Sequence, residues 1–136
     1  MDEKLSAFLQ ELSTFGTGGF VVTLERSPSK IAIARKNLAE AGIAGNVQIK
    51  EGEALASLMA LAGPFDLAFL DADRGQYLAY LEEVVPKIKK GGLLVTDNAI
   101  SHAEELKVFL EHVKSHPGLF SVTLPVGNGE ELTYKL

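Results

Sequence analysis

The sequence predicts an α/β fold with a mostly parallel sheet and one antiparallel strand at or near its end. Three observations lead there. Short apolar runs alternate with segments of helical spacing, the order that builds parallel sheets. Two of those runs, Phe65–Leu70 and Leu93–Thr96, are apolar nearly throughout, as strands buried on both faces are. Near the end, Gly127-Asn128-Gly129 separates two strand-like segments and is a strong hairpin signal.

At 136 residues the chain is read as one domain, large enough for a core. Hydrophobic residues at 46% and charged residues at 23% are ordinary for a globular protein. The net charge is −5 and no basic patch is interleaved with aromatics, so nucleic acid is not an expected partner. There is no apolar run of membrane-spanning length and no signal-peptide pattern over Met1–Leu12. No cysteine is present, which rules out a disulfide framework and thiol chemistry. A cytoplasmic protein with no membrane partner is expected.

Leu5, Phe8, Leu9 and Leu12 have one-face helical spacing and predict a helix over Asp2–Leu12. Ser13–Gly19 is a break, and Phe20–Leu24 reads as a strand ending at Glu25. Ser27 and Pro28 suit an N-cap and first helical residue, with Ile31, Ala34, Leu38 and Ala41 inward and Gly42 as the stop. Lys30, Arg35, Lys36 and Glu40 form that helix's solvated face. Val47–Lys50 is a short strand, followed by a turn and a helix with Leu55, Leu58 and Met59 in the core. Gly63-Pro64 breaks that helix before the Phe65–Leu70 strand.

Tyr77–Lys89 is predicted helical, with a kink at Pro86 and an end at Gly91-Gly92. Lys87, Lys89 and Lys90 are read as complementing its C-terminal dipole. Ser101-His102-Ala103-Glu104 has the capping-box pattern and is expected to open a helix with Leu106, Phe109, Leu110 and Val113 buried. His112 and His116 are placed on or near its outer surface, without the partner spacing of a zinc site. Phe120–Val126 and Glu131–Leu136 are the strands of the hairpin.

Ligands of open parallel sheets sit beyond the carboxyl ends of the strands. Phe65–Leu70 ends in Asp71-Ala72-Asp73, and Leu93–Thr96 ends in Asp97-Asn98. If the strands are parallel neighbours about 4.8 Å apart, Asp71, Asp97 and Asn98 converge. Two carboxylates and an amide oxygen suit a hard cation such as Mg²⁺ or Ca²⁺. The competing account is that strand ends need polar caps and that Asp and Asn are turn residues. Two successive strands ending this way favour the site. Glu25 could accept ribose hydroxyls, although acidic residues also favour helix starts. Gly52-Glu53-Ala54 could border an adenine ring, and by itself is better explained as a turn and helix start.

Together these residues resemble a known family. Glu25, the Gly52-Glu53-Ala54 turn, Phe69-Leu70-Asp71-Ala72-Asp73-Arg74-Gly75-Gln76-Tyr77, Gly91-Gly92, Thr96-Asp97-Asn98 and Leu124-Pro125-Val126-Gly127-Asn128-Gly129 look like the catechol O-methyltransferase-like family. Its members are S-adenosylmethionine-dependent, metal-assisted O-methyltransferases. The likeness runs from about Gly18 to the C-terminus. It implies a Rossmann-like methyltransferase fold and a small catechol-like substrate. It implies Asp71, Asp97 and Asn98 as metal ligands, with Mg²⁺ foremost. Glu25, Gly52, Glu53, Ala54 and Asp71 fall to the cofactor, and Asp71 and Arg74 to catalysis.

The sequence departs from that family in two places. The family has a strand, a glycine loop and a helix before the strand that ends at Glu25. Here Phe15-Gly16-Thr17-Gly18-Gly19-Phe20 leads at once into that strand, whereas a nucleotide loop follows a strand and opens a helix. The expectation is an internal loss of this first unit, together with the N-terminal cap helices. The absent strand normally lies between the Glu25 and Asp71 strands. Unpaired strand edges are sticky, so a homodimer is expected. Second, Arg74 stands where family members often carry a lysine able to act as general base. Arginine stays protonated, which leaves deprotonation to the metal, solvent or His102. The rival functional reading is an inert remnant serving as a binding or oligomerisation module. A dinucleotide-dependent dehydrogenase is disfavoured, because no strand–GxGxxG–helix unit exists.

Overall fold

A computed structural model of the chain describes residues 18–136. The helix expected over Asp2–Leu12 and the first part of the Ser13–Gly19 break lie outside the described residues. The chain divides into two compact units, Met1–Ala60 and Leu61–Leu136, and each is described by itself.

The first unit holds β1 (Val21–Glu25), α1 (Pro28–Glu40), β2 (Val47–Glu51) and α2 (Ala54–Met59). β1 and β2 pair in parallel, with Val21 opposite Val47 and Glu25 opposite Glu51. Pro28 opens α1 with its φ already set for a helix, and Gly42 at φ 71° follows the C-cap residue Ala41. Ile31 and Leu38 are buried, Ala34 is half-buried, and Ala41 is exposed at the cap. The expected solvated face carries exposed ion pairs, Arg35 with Glu51 and Lys36 with Glu40. Met59 does not fill the core: it ends a helix of 6 residues of which only Leu58 is buried, and it is 62% exposed.

The second unit holds β3 (Phe65–Leu70), α3 (Tyr77–Val84), β4 (Ile88–Thr96), α4 (Lys107–Ser115), β5 (Leu119–Leu124) and β6 (Glu130–Lys135). Its sheet has the order β3-β4-β6-β5. β3 and β4 are parallel, with Leu70 opposite Thr96. β6 runs antiparallel to both β4 and β5. Alternation along the strands puts Leu94, Thr96, Glu131 and Thr133 on one buried face. Tyr77, Leu81, Val84, Phe109 and Val113 supply the buried faces of α3 and α4. The Tyr77 and Phe109 rings meet edge to face at 5.5 Å.

Three local expectations change. The helix expected to Lys89 ends at Val84, followed by a tight turn over Val85–Lys87, and β4 starts at Ile88. Val85 before Pro86 keeps helical backbone at φ −58° and ψ −43°, but Pro86 has no N–H to continue the α-helical bonding, so the chain tightens into the turn and the helix ends rather than kinks. The lysine that caps this exit comes from far away: Lys135 Nζ donates to Val85 O at 2.8 Å and Ile88 O at 2.6 Å. Lys87 instead pairs with Glu83, and Lys89 with Asp66, whose carboxyl that hydrogen bond and charge hold below its ordinary range. The Ser101–Glu104 pattern opens no helix. Residues 97–106 form successive turns, and α4 begins at Lys107 behind a Leu106 N-cap.

Candidate functional site

In the first unit the polar residues gather at the carboxyl ends of β1 and β2. Gly52 N–H donates to Glu25 O at 3.0 Å, extending the strand pairing past its last residues. Glu25 folds its carboxylate back on the turn that follows. Its Oε1 accepts the N–H groups of Arg26 at 2.9 Å and Ser27 at 2.8 Å. Gly52 takes φ 127°, a left-handed backbone suited to glycine, which turns the chain into α2. Glu53 is the N-cap residue of α2 and makes an exposed ion pair with Arg26 at 3.2 Å. Ala54 is the first residue of α2. Glu25, Gly52, Glu53 and Ala54 therefore share one end of this strand pair.

In the second unit the tips of β3 and β4 adjoin. Leu70 and Thr96 are register partners, and Asp97 N–H donates to Leu70 O at 3.2 Å. Asp71 and Asp97 thus leave neighbouring parallel strands at the same end. Both carboxylates act on the phenol of Tyr77. Its pKa is pushed up to about 12, by burial first and then by the charges of Asp71 and Asp97. The Tyr77 hydroxyl also accepts Ala72 N–H at 3.4 Å. Tyr77 is the inward helix residue its spacing predicts, and its interaction with the two carboxylates is a tertiary feature that spacing does not reveal.

Asn98 follows in left-handed backbone at φ 67°, which asparagine tolerates better than most residues. Its N–H donates to Asp97 Oδ1 at 2.6 Å, and its Oδ1 accepts Ser101 Oγ at 3.4 Å. Each of these oxygens keeps further lone pairs. Ser101 also bonds His102 Nδ1 at 2.9 Å.

On the other flank, Asp73 caps the turn that carries Arg74, accepting Gly75 N–H at 3.1 Å and Gln76 Nε2 at 3.0 Å. Arg74 Nε donates to Glu105 Oε2 at 2.6 Å, tying the segment after β3 to the segment after β4. This bond holds the guanidinium above its ordinary pKa and the Glu105 carboxyl below its own. Arg74 is a fixed cation near Asp71, and Glu105 is a partner that sequence spacing could not reveal.

Two carboxylates and an amide at adjoining strand tips are the oxygen donors a hard divalent cation takes, so the residues present fit such an ion. Among the described residues, no group of three or more His, Cys, Asp and Glu side chains gathers as a metal site. This set contains two such side chains, Asp71 and Asp97, with Asn98 as the third donor.

A family profile described as O-methyltransferase matches residues 6–135. The chain belongs to the O-methyltransferase family. It is 38% identical over 116 residues to a catechol O-methyltransferase of Mycobacterium tuberculosis, covering 76% of this chain and 53% of that protein. A catechol O-methyltransferase of Niastella koreensis is 39% identical over 92 residues, covering 65% of this chain and 42% of that one. The chain spans about half the length of the curated relatives it matches. Among solved structures, cofactor-bound Rv0187 from MTB aligns at TM-score 0.81 and 35% identity, covering 88% of this chain and 63% of that one. The SAH-bound Podospora anserina methyltransferase PaMTH1 aligns at TM-score 0.86 and 25% identity, covering 96% and 67%. The fold is that of the Rossmann-like methyltransferases, with a C-terminal antiparallel hairpin.

Proposed function

We propose that this O-methyltransferase family chain transfers a methyl group from S-adenosylmethionine to a small catechol-like hydroxyl substrate with the help of a divalent cation, Mg²⁺ foremost. The observation that carries the proposal is the joint placement of Asp71 and Asp97 at neighbouring strand tips, with Asn98 next in the chain. Relatives named catechol O-methyltransferase support the substrate class, and cofactor-bound neighbours support the methyl donor.

In this reading Asp71, Asp97 and Asn98 hold the cation. The bound ion supplies the charge that makes a vicinal hydroxyl acidic at neutral pH. Asp71 fixes where the substrate oxygens sit, because alignment with the methyl group is the larger part of such catalysis. Arg74 keeps its proton and contributes positive charge beside Asp71. Glu25 takes the cofactor ribose, while Gly52, Glu53 and Ala54 border the adenine. Both glutamates already hold internal partners, Glu25 the Arg26 and Ser27 amides and Glu53 the Arg26 guanidinium.

A homodimer belongs to the same proposal. Among the described residues β1 pairs only with β2, and β3 only with β4, so each keeps a free edge. A cytoplasmic setting is proposed on the lack of cysteine. Among the described residues no helix is long and apolar enough to cross a membrane.

Calorimetry with S-adenosylmethionine, with and without Mg²⁺, followed by a methyl-transfer assay on a catechol, tests the reading. Cofactor binding and Mg²⁺-dependent transfer that Asp71→Ala abolishes are expected. A metal response with no cofactor binding would instead indicate an inert remnant.

A further inference from the structure

We infer that the hairpin turn Gly127-Asn128-Gly129 is the positioning element that sets the Asn98 donor, an inference that rests on the proposed cation site. Three consecutive amides after Asn98 are taken by two carbonyls of this turn. Ala99 N–H donates to Gly129 O at 2.8 Å, and Ile100 and Ser101 N–H donate to Asn128 O at 3.2 and 2.9 Å. Asn98 is thereby held from both sides, its own N–H by Asp97 and the next three by the turn. Such support is what a non-glycine residue at φ 67° requires, since left-handed backbone costs about 1–2 kcal/mol. Without the turn, Asn98 relaxes to ordinary backbone, its N–H leaves the Asp97 carboxylate and its side-chain oxygen is no longer held beside Ser101.

The turn can reach this loop because position 129 has no side chain. Gly129 is buried at φ 96°, and a Cβ there would lie 2.5 Å from Ile100 N and 2.6 Å from Ile100 Cβ. Both are closer than real atoms approach, so Gly129→Ala must push the Ala99–Ser101 segment away. Asn128 and Gly129 accept hydrogen bonds from Ala99, Ile100 and Ser101, the residues next to Asn98 in the chain. They act through Asn98 as outer partners of a metal ligand do, and loss of such partners lowers metal affinity about 10- to 100-fold.

The test measures Mn²⁺ affinity by electron paramagnetic resonance in the wild type, Gly129→Ala and Lys135→Met. The last variant loses the cap on α3, away from the loop. Gly129→Ala is expected to bind Mn²⁺ about tenfold or more weakly, while Lys135→Met binds as the wild type does. Wild-type affinity in Gly129→Ala, or an equal loss in Lys135→Met, overturns the inference and leaves the cation site standing. A wild type that takes up no Mn²⁺ overturns both. Should Gly129→Ala fail to fold, amide hydrogen exchange on the wild type decides. Mg²⁺ is expected to slow exchange at Ala99, Ile100 and Ser101 more than at the β5–β6 amides, and unchanged exchange at those three positions overturns the inference.

Discussion

The phenol of Tyr77 links fold stability to the candidate site, and alkaline pH is the perturbation that exposes it. Tyr77 is 1% exposed, packed edge to face on Phe109, with the Asp71 and Asp97 charges nearby. Its pKa is raised from the ordinary 10.0 to about 12, first by burial and then by the two carboxylates. Between those values the unfolded chain has released a proton that the folded chain still holds. Unfolding therefore releases a proton, and rising pH favours it. The Tyr77 contribution is fully present below pH 10 and is lost as pH climbs towards 12. A shift of two units at about 1.4 kcal/mol each corresponds to roughly 2–3 kcal/mol. Urea unfolding of the wild type and Tyr77→Phe at steps from pH 9 to 12 measures it. Lysines titrate in both proteins and drop out of the difference. At pH 9 Tyr77→Phe should be the less stable by about 1 kcal/mol, having lost the acceptor for Ala72 N–H. By pH 12 it should be the more stable. Parallel curves across that range would refute the placement of the phenol among buried atoms and carboxylates.

Three further predictions concern the second unit. Lys135→Met keeps the aliphatic stem but removes the donors to Val85 O and Ile88 O, and should cost about 2 kcal/mol in urea unfolding with no change in metal affinity. Glu131→Ala removes a fully buried carboxylate that accepts the Ser121 and Thr123 hydroxyls and pairs with Lys114. A loss of about 2–3 kcal/mol is expected by thermal unfolding. Gly92→Ala places a Cβ 2.8 Å from Asp66 O and 2.9 Å from Lys89 O, at the bulge where β3 and β4 shift register. Faster amide exchange along β3 than in the wild type is the expected reading.

What the sequence made legible follows its physics. β3 and β4 were readable because apolar runs bounded by glycines and ending in carboxylates point to strands and to the end where ligands bind. Their parallel pairing then brings the Asp71 and Asp97 backbones together. The hairpin was readable because Gly127-Asn128-Gly129 supplies the left-handed backbone a tight turn needs. Other features were hidden because they depend on distant partners. The lysines next to Pro86 were the obvious cap for α3, yet Lys135 occupies it from across the sheet. The Ser101–Glu104 pattern matched a helix start locally. Its Ser101 amide instead donates to Asn128 O and its His102 amide to Asn98 O, so the loop's own bonds override a local motif. Arg74 stood out as a substitution for lysine, but its hold on Glu105 was invisible until both segments were placed.

The order β3-β4-β6-β5 also sets which strand pairings are local in the chain and which are distant. β4 is followed in the chain by β5, yet its neighbour is β6, which threads between them. The β3–α3–β4 segment can therefore collapse early on local contacts, while the far side of β4 waits for a strand many residues downstream. Rates fall when such distant pairings must form. The step that closes the sheet is also the one that brings Gly129 against the loop after Asn98, so the second unit acquires its finished strand tips only when its last strand docks.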